Sequence, residues 1–161
     1  MAAEMPKKIY LDWNDITGAV STLAKTIEEH NCSFSRILAV ARGGLVPAAM
    51  LSHQLGIKIV GSLQLRSYSD TYSQESVVPW SWQQLTVAQG ELRGPRTLIL
   101  DDLHDTGKTL EFMKRHFPEA TIATLYHKQH TTTPPPIGFP GLSMPADKWI
   151  VFPWESDDVR G

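Results

Sequence analysis

An α/β fold, with a mainly parallel sheet flanked by helices, is predicted by two observations on the 161-residue chain. Apolar strand-like runs alternate with segments of helical spacing, the order that builds a parallel sheet covered by helices. Three of those runs also end directly in polar residues, at Arg42-Gly43-Gly44, Asp101-Asp102 and His127-Lys128. In open parallel sheets ligands bind beyond the carboxyl ends of the strands, so three such exits predict one shared crevice.

A helix is predicted to start near Asp12 or Asn14, with Asp15 close to its positive end, and to run to about Asn31. Ile16, Val20, Leu23, Ala24 and Ile27 recur on it at helical spacing. Ile37 to Ala41 is a buried-strand run, and a helix from Leu45 to Leu55 follows, stopped by Gly56. A further strand is expected from Ile57 to about Leu65. The stretch 67–92 is rich in Ser, Gln, Tyr and Trp and reads as a long mobile loop or irregular hairpin; a loop of that length is usually functional. Thr97 to Leu100 is the clearest central strand, Lys108 to His116 a helix, and Ile122 to Tyr126 the next strand. Residues 129–146 hold five prolines and read as a surface excursion, before a last strand at Trp149 to Phe152. No repeat and no second domain is visible, so 1–161 is read as one domain.

Composition narrows the function classes. The net charge is -2 and the fifteen Lys and Arg are scattered, with no run longer than two, which speaks against a nucleic-acid binder. No apolar run approaches the length of a membrane span, and the start of the chain lacks the apolar block of a signal peptide. Cys32 stands alone, so a disulfide framework or cysteine metal cluster is not expected. A cytoplasmic location is the default expectation. His127 and His130 lack an evident third metal ligand.

The segment Leu98 to Leu110 carries the chemistry. It is a buried strand, two carboxylates, and a tight loop entering a helix. Gly107 lets the backbone turn, so that the amides from Asp105 to Thr109 can gather at a helix N-terminus, a site suited to a phosphate dianion. Thr106 and Thr109 add hydroxyl donors, while Asp101 and Asp102 suit ribose hydroxyls or Mg²⁺, which takes oxygen ligands. Gly107-Lys108-Thr109 also looks like the end of a nucleotide-binding P-loop, but that motif needs glycine where this chain has Asp102.

The string Asp101-Asp102-Leu103-His104-Asp105-Thr106-Gly107-Lys108-Thr109 resembles the phosphoribosyl pyrophosphate (PRPP) signature of type I phosphoribosyltransferases. The resemblance covers most of the chain and is greatest to the short bacterial xanthine–guanine enzymes. Arg42 to Pro47 resembles their pyrophosphate loop, and Ser67-Tyr68 the pair in their mobile active-site loop. Lys128 follows a strand as their base-contacting lysine does, and Trp149-Ile150 with Pro153-Trp154-Glu155 resembles a C-terminal purine-binding hood.

That resemblance implies a type I phosphoribosyltransferase fold and a division of labour. Asp101 and Asp102 would bind the ribose hydroxyls, with Asp102 the Mg²⁺ candidate. Residues Asp105, Thr106, Gly107, Lys108 and Thr109 would hold the 5-phosphate. Arg42 and Gly43 would meet pyrophosphate, with a cis peptide at Ala41–Arg42. Asp105 would be the general base near purine N7, Lys128 would recognise O6, Trp149 would stack on the base, and Ile150 and Glu155 would meet its 2-position side. The implied reaction transfers ribose 5-phosphate from PRPP to a 6-oxopurine, giving a nucleoside monophosphate and pyrophosphate. Guanine, xanthine and hypoxanthine remain open as the base, and a homodimer or homotetramer is implied.

The chain departs from the family's pattern in two places. Residues 67–92 contain no Lys or Arg, leaving Arg66 and Arg93 at the edges as substitutes for a basic loop residue. His104 stands where an aliphatic residue is common and is expected to face solvent or cap. Trp80 and Trp82 are read as packing residues, of the closed loop or of a subunit interface. Two rival functions stay beside the enzyme: a non-catalytic regulator sensing PRPP or a nucleotide, and transfer to a non-purine base.

Overall fold

The computed structural model describes residues 6–68, 76–129 and 138–155. In chain order these form β1 (Lys8–Tyr10), α1 (Trp13–Glu29), β2 (Arg36–Ala41), α2 (Leu45–Leu55), β3 (Ile59–Tyr68), β4 (Ser76–Pro79), α3 (Trp82–Glu91), β5 (Thr97–His104), α4 (Lys108–His116), β6 (Thr121–Lys128), β7 (Leu142–Met144) and β8 (Trp149–Val151).

Local chemistry fixes the first helix. Asp12 is its N-cap: Oδ1 accepts the Asp15 N–H at 2.8 Å, and Asp15 Oδ2 accepts the Asp12 N–H at 2.8 Å. This reciprocal capping box satisfies two donors that the first turn leaves unpaired. The helix buries Ile16, Val20, Leu23, Ala24 and Ile27, the residues that its spacing predicts. Burying each large aliphatic side chain contributes about 1.5–3 kcal/mol. At the end of α2, Gly56 adopts a left-handed φ of 67° and closes the helix.

A six-stranded sheet has the order β4-β3-β2-β5-β6-β7, parallel throughout except for the antiparallel β3–β4 hairpin. One core cluster joins α1 and α2 to one face, through residues such as Val20, Leu51, Leu98 and Leu100. The other joins α3 and α4 to the opposite face, through Leu85, Leu110, Ile99 and Ile122. A sheet covered on both sides needs continuous apolar strands, and Ile37 to Val40 are accordingly all buried. Because β2, β5 and β6 are adjacent and parallel, their three polar exits leave the sheet at one edge.

Several elements differ from the expectation. Much of 67–92 is regular: Ser67 and Tyr68 pair with Val77 and Ser76 in the hairpin, and α3 occupies 82–91. Ser81 starts that helix by accepting the Gln84 N–H, and Leu85 and Ala88 anchor it. Its Gln-rich remainder hides so narrow an apolar stripe from periodicity. Residues 69–75 of the expected loop lie outside the described residues, as do 130–137 of the expected surface excursion. Beyond these, Phe139 is buried in the core and β7 extends the sheet beside β6. Trp80 and Trp82 are 62% and 63% exposed, so they do not pack inside the chain; the Arg66 guanidinium lies 5.5 Å from the Trp80 ring centroid.

A separate two-stranded sheet pairs β1 with β8 in parallel, in the register Lys8↔Trp149, Ile9↔Ile150 and Tyr10↔Val151. The Trp149 N–H donates to the Lys7 carbonyl and the Leu11 N–H to the Val151 carbonyl, both at 2.9 Å. The start of the chain thus holds the segment expected to form the hood.

Candidate active site

Each strand exit contributes a distinct piece. At the end of β2 the Ala41–Arg42 peptide is cis, as the resemblance implies, and Arg42 is exposed. Gly43 packs so closely that a Cβ there would strike the Asp102 carboxylate. Any side chain here would have to displace that carboxylate, where the β2 and β5 exits touch. Gly44 begins α2, its N–H donating to the Val40 carbonyl at 2.8 Å.

At the end of β5, Asp101 is buried and Asp102 partly so, and the Asp102 N–H donates to Asp101 Oδ1 at 2.9 Å. Burial, reinforced by the Asp102 charge, pushes the Asp101 carboxyl well above its ordinary range. Burial also raises Asp102, and the Glu155 charge adds to that rise. Two carboxylates crowded in this way favour a proton or a cation between them and their surroundings. Gly107 follows in the left-handed region, at φ 87°, as the N-cap of α4. Gly107 has no side chain with which to cap that end, and α4 opens beside the exposed Thr106 and the half-buried Lys108 and Thr109.

At the end of β6, Lys128 Nζ donates to Asp105 Oδ2 at 3.1 Å. The Lys128 side chain is 9% exposed and that of Asp105 43%. A cavity of about 210 Å³ opens beside this pair, and Asp102, Asp105, Lys128, Trp149, Ile150 and Glu155 all line it. Three separated stretches of sequence therefore meet at one hollow. Arg42, Gly43, Thr106, Lys108 and Thr109 do not line it; they stand on the β2 and β5 loops, on the side of Gly107 and Asp102. The side chains of Ser67 and Tyr68 lie outside the described residues.

Sequence reasoning missed Leu103 and Phe152, which also line the hollow. Phe152 stacks on Trp154 with centroids 4.8 Å apart, and Trp154 in turn meets Trp13 at 6.0 Å. The Trp13–Trp154 contact joins residues far apart in sequence, so no local signal announces it. Glu155 has a second task beyond the one expected: its Oε2 accepts the Phe152 N–H at 3.1 Å and closes the turn after β8. His104 is buried rather than solvent-facing, and its Nε2 lies 3.2 Å from where a Cβ on Gly107 would sit. The strand continues through His104 before the loop turns, which carries the imidazole underneath Gly107.

Among the described residues no group of three or more His, Cys, Asp or Glu forms a metal cage. Asp101 and Asp102 nevertheless supply hard oxygen donors of the kind that Mg²⁺ takes when it keeps its waters and binds substrate phosphates.

Comparisons with known proteins agree with this architecture. A xanthine-guanine phosphoribosyltransferase of Nitratidesulfovibrio vulgaris is 32% identical over 96% of this chain and 90% of its own length. A purine phosphoribosyltransferase of Pyrococcus horikoshii superposes with a TM-score of 0.75 at 34% identity, covering 96% of this chain and 98% of that one. A hypothetical protein of Neisseria gonorrhoeae, crystallised with bound ppGpp, gives a TM-score of 0.80 at 28% identity over 98% of this chain and 94% of that one. The model of the phosphoribosyl transferase domain matches residues 7–158. The chain therefore belongs to the phosphoribosyl transferase domain family.

Proposed function

We propose that this chain transfers ribose 5-phosphate from PRPP to a 6-oxopurine, releasing pyrophosphate and forming the nucleoside monophosphate, a reaction of purine salvage. The observation that carries the reading is the meeting of the Asp101–Thr109 loop with Lys128 and Trp149-Ile150 around one hollow. It is supported by the names of the relatives, which are phosphoribosyltransferases for purines.

The residues divide the work as follows. The leading amides of α4, with Thr106, Lys108 and Thr109, hold the 5-phosphate, and Asp101 and Asp102 accept from the ribose hydroxyls. Arg42 and Gly43 lie against pyrophosphate. Asp102 would hold Mg²⁺, which neutralises the charge of the leaving group when bound. Trp149 stacks on the purine, Ile150 and Glu155 border its 2-position, and Lys128 donates to O6. As purine N9 forms a bond to C1 of the ribose, the C1–oxygen bond breaks and its electron pair leaves with pyrophosphate. The proton on N7 passes to the Asp105 carboxylate. The hairpin that ends in Ser67 and Tyr68 shields this step from water.

We read residues 1–161 as one such domain, working in the cytoplasm as a homodimer or homotetramer. Among the described residues no helix is long and apolar enough to cross a membrane.

Product formation from PRPP and Mg²⁺ with guanine, xanthine, hypoxanthine, adenine, uracil and orotate tests the reading. Turnover of 6-oxopurines, reduced about 10²–10⁴-fold by Asp105→Asn, is the expected result. Absence of turnover with every base, in protein that still binds PRPP, overturns it. Turnover of uracil or orotate instead moves the activity to a non-purine base.

The ppGpp bound to the Neisseria gonorrhoeae protein favours a second property, that this chain too binds a guanine nucleotide bearing two diphosphates. Such a nucleotide is expected to compete with PRPP. A sensing role without catalysis is its limiting form, shown by ppGpp binding in the absence of any turnover.

A further inference from the structure

Arg66 and Arg93 bracket a segment that contains no Lys or Arg, and the structure places them at opposite ends of the sheet. Arg93 belongs to the amino edge. Arg36, the first residue of β2, donates from Nη1 to the carbonyls of Glu91 at 3.1 Å and Arg93 at 3.2 Å. Arg66 belongs to the carboxyl edge, the length of β2 away, or about 20 Å. Ala41, the last residue of β2, is level with Gln64, so β3 carries Arg66 past the end of β2 and beside the Arg42–Gly44 loop.

The face is fixed as well as the edge. Leu63 is buried in the cluster beneath α3 and α4, and Leu65 packs against it. Successive strand side chains point to opposite faces, so Arg66 stands on the other face, the one that α2 covers. Helix α2 begins at Leu45, directly after Arg42, Gly43 and Gly44. Arg66 and that loop thus share one edge and one face, on neighbouring strands about 4.8 Å apart.

The Arg66 guanidinium lies 5.5 Å from the centroid of the Trp80 ring. Trp80 is tied to the same strand, its N–H donating to the Gln64 carbonyl at 2.8 Å. Its ring is 62% exposed and fills no place in the core. Among the described residues no carboxylate or carbonyl accepts from the guanidinium. A guanidinium held over a ring keeps its N–H donors in its own plane, open to oxygen ligands. Holding it there also removes part of the side-chain entropy that anion binding would otherwise cost.

We propose that Arg66 contacts pyrophosphate beside Arg42, and that Trp80 positions its guanidinium for that contact. The inference rests on the pyrophosphate side of the reading above. Two arginines on neighbouring strands then share the charge that pyrophosphate gains as it leaves C1, which favours cleavage of that bond. Arg66 touches the leaving group, whereas Trp80 acts only through Arg66.

Calorimetric titration of inorganic pyrophosphate with Mg²⁺ into the full chain tests this without requiring turnover. Arg66→Met is expected to weaken pyrophosphate binding about tenfold or more, the scale of a charge-assisted hydrogen bond. Arg93→Met removes the same charge from the opposite edge and is expected to stay within about twofold of wild type. Trp80→Leu should weaken binding about two- to fivefold, and Trp80→Phe, which keeps a π face, by less than about twofold. In the Arg66→Met background, Trp80→Leu is expected to add nothing. Steady-state kinetics with a purine follow the same order in kcat/KM for PRPP, while KM for the base stays within about twofold.

Equal losses in Arg66→Met and Arg93→Met mean a response to net charge alone and overturn the inference. So does a wild type that takes up no pyrophosphate, or an Arg66→Met variant that binds it as wild type does. Additive losses from Trp80→Leu and Arg66→Met overturn the positioning role of the ring. Pyrophosphate binding lost only in Arg66→Met, in a chain that turns over no purine, keeps the inference and removes the purine reading. Purine turnover unimpaired in Arg66→Met does the reverse.

Discussion

The proposed function draws the phosphate side of the crevice from nine consecutive positions, Asp101 to Thr109, on one strand end and one helix start. The base side draws instead on the ends of β5 and β6 and on β8, which is itself held by β1. The first is contiguous in sequence, a strand end, a turn at Gly107 and a helix start, although β6 and Gly43 flank it. The second exists only after the N-terminal strand and the C-terminal segment have met. The side proposed for phosphate is thus one loop, and the side proposed for the base is a product of the whole fold. Substitutions should separate the two sides according to which scale of structure they touch.

The largest expected effect comes where the two scales overlap. Gly43→Ala drives a Cβ into the Asp102 carboxylate, and that residue serves both the loop and the hollow. Displacing it is expected to lower kcat/KM for PRPP by about 100-fold, near 2.7 kcal/mol. Steady-state kinetics with PRPP varied at fixed base checks this. Values within threefold of wild type mean that the contact between the β2 and β5 exits has no part in the reaction.

Next in size is a separation of activity from stability on the phosphate side. Asp101 is buried, and its folded carboxyl sits well above the value it has in an unfolded chain. Between those two values the folded state holds more protons than the unfolded one, so stability falls as pH rises through that window. Asp101→Asn removes the buried charge and keeps the Oδ1 acceptor for the Asp102 N–H. The variant is expected to lose turnover yet melt higher at neutral pH, with about 2–4 °C for each kcal/mol relieved. The gain should shrink on acidification, when the wild-type carboxyl is itself protonated. Melting curves of ligand-free protein at neutral and acidic pH show whether it does; a variant that melts lower than wild type at neutral pH breaks the argument.

The same contrast of scale decides what could be read from sequence. Asp101 to Thr109 was legible because every position of the signature is consecutive, and the three polar exits were legible because parallel neighbours align their carboxyl ends. The structure brings Lys128, Trp149 and Ile150 to that signature from far along the chain, as the resemblance implied. Strands β1 and β7 escaped because they are short and largely exposed, whereas β8, equally short, carries the buried Ile150 and Val151. Helix α3 escaped because Leu85 and Ala88 are its only fully buried residues in a Gln-rich segment. His104, expected to face solvent or to cap, is carried inward by the strand and lies beneath Gly107. The Trp13–Trp154 contact joins the first helix to the segment after β8, which no local pattern connects.

Those aromatic contacts give a prediction confined to the base side. Trp13 is half exposed and touches no part of the hollow, but it braces Trp154, which stacks on the lining residue Phe152. Such a contact contributes about 0.5–1.5 kcal/mol. Trp13→Ala is therefore expected to raise KM for the base roughly fivefold while leaving KM for PRPP within about twofold. Parallel increases in both constants would erase the distinction between the two sides.

The smallest effect belongs to the strut beneath the hood. Tyr126 on β6 donates from its hydroxyl to the Asp15 carbonyl of α1 at 3.2 Å, and its ring meets Phe152 at 6.0 Å. Burial, then the charges of Asp15 and Asp12, push its phenol up to about 12. The unfolded phenol ionises near 10. Between these values the folded chain keeps a proton that the unfolded chain has lost, so the wild type loses stability as pH climbs from about 10 to about 12. Tyr126→Phe removes one hydrogen bond, for about 0.5–1.5 kcal/mol at neutral pH, and removes that proton linkage as well. The gap between wild type and variant should therefore be widest at neutral pH and narrow in alkali. Denaturant melts at pH 7 and at pH 11 measure the two gaps. A gap that stays constant or widens in alkali means that the phenol is not held neutral by the fold, and that α1 supports the hood through its apolar face alone.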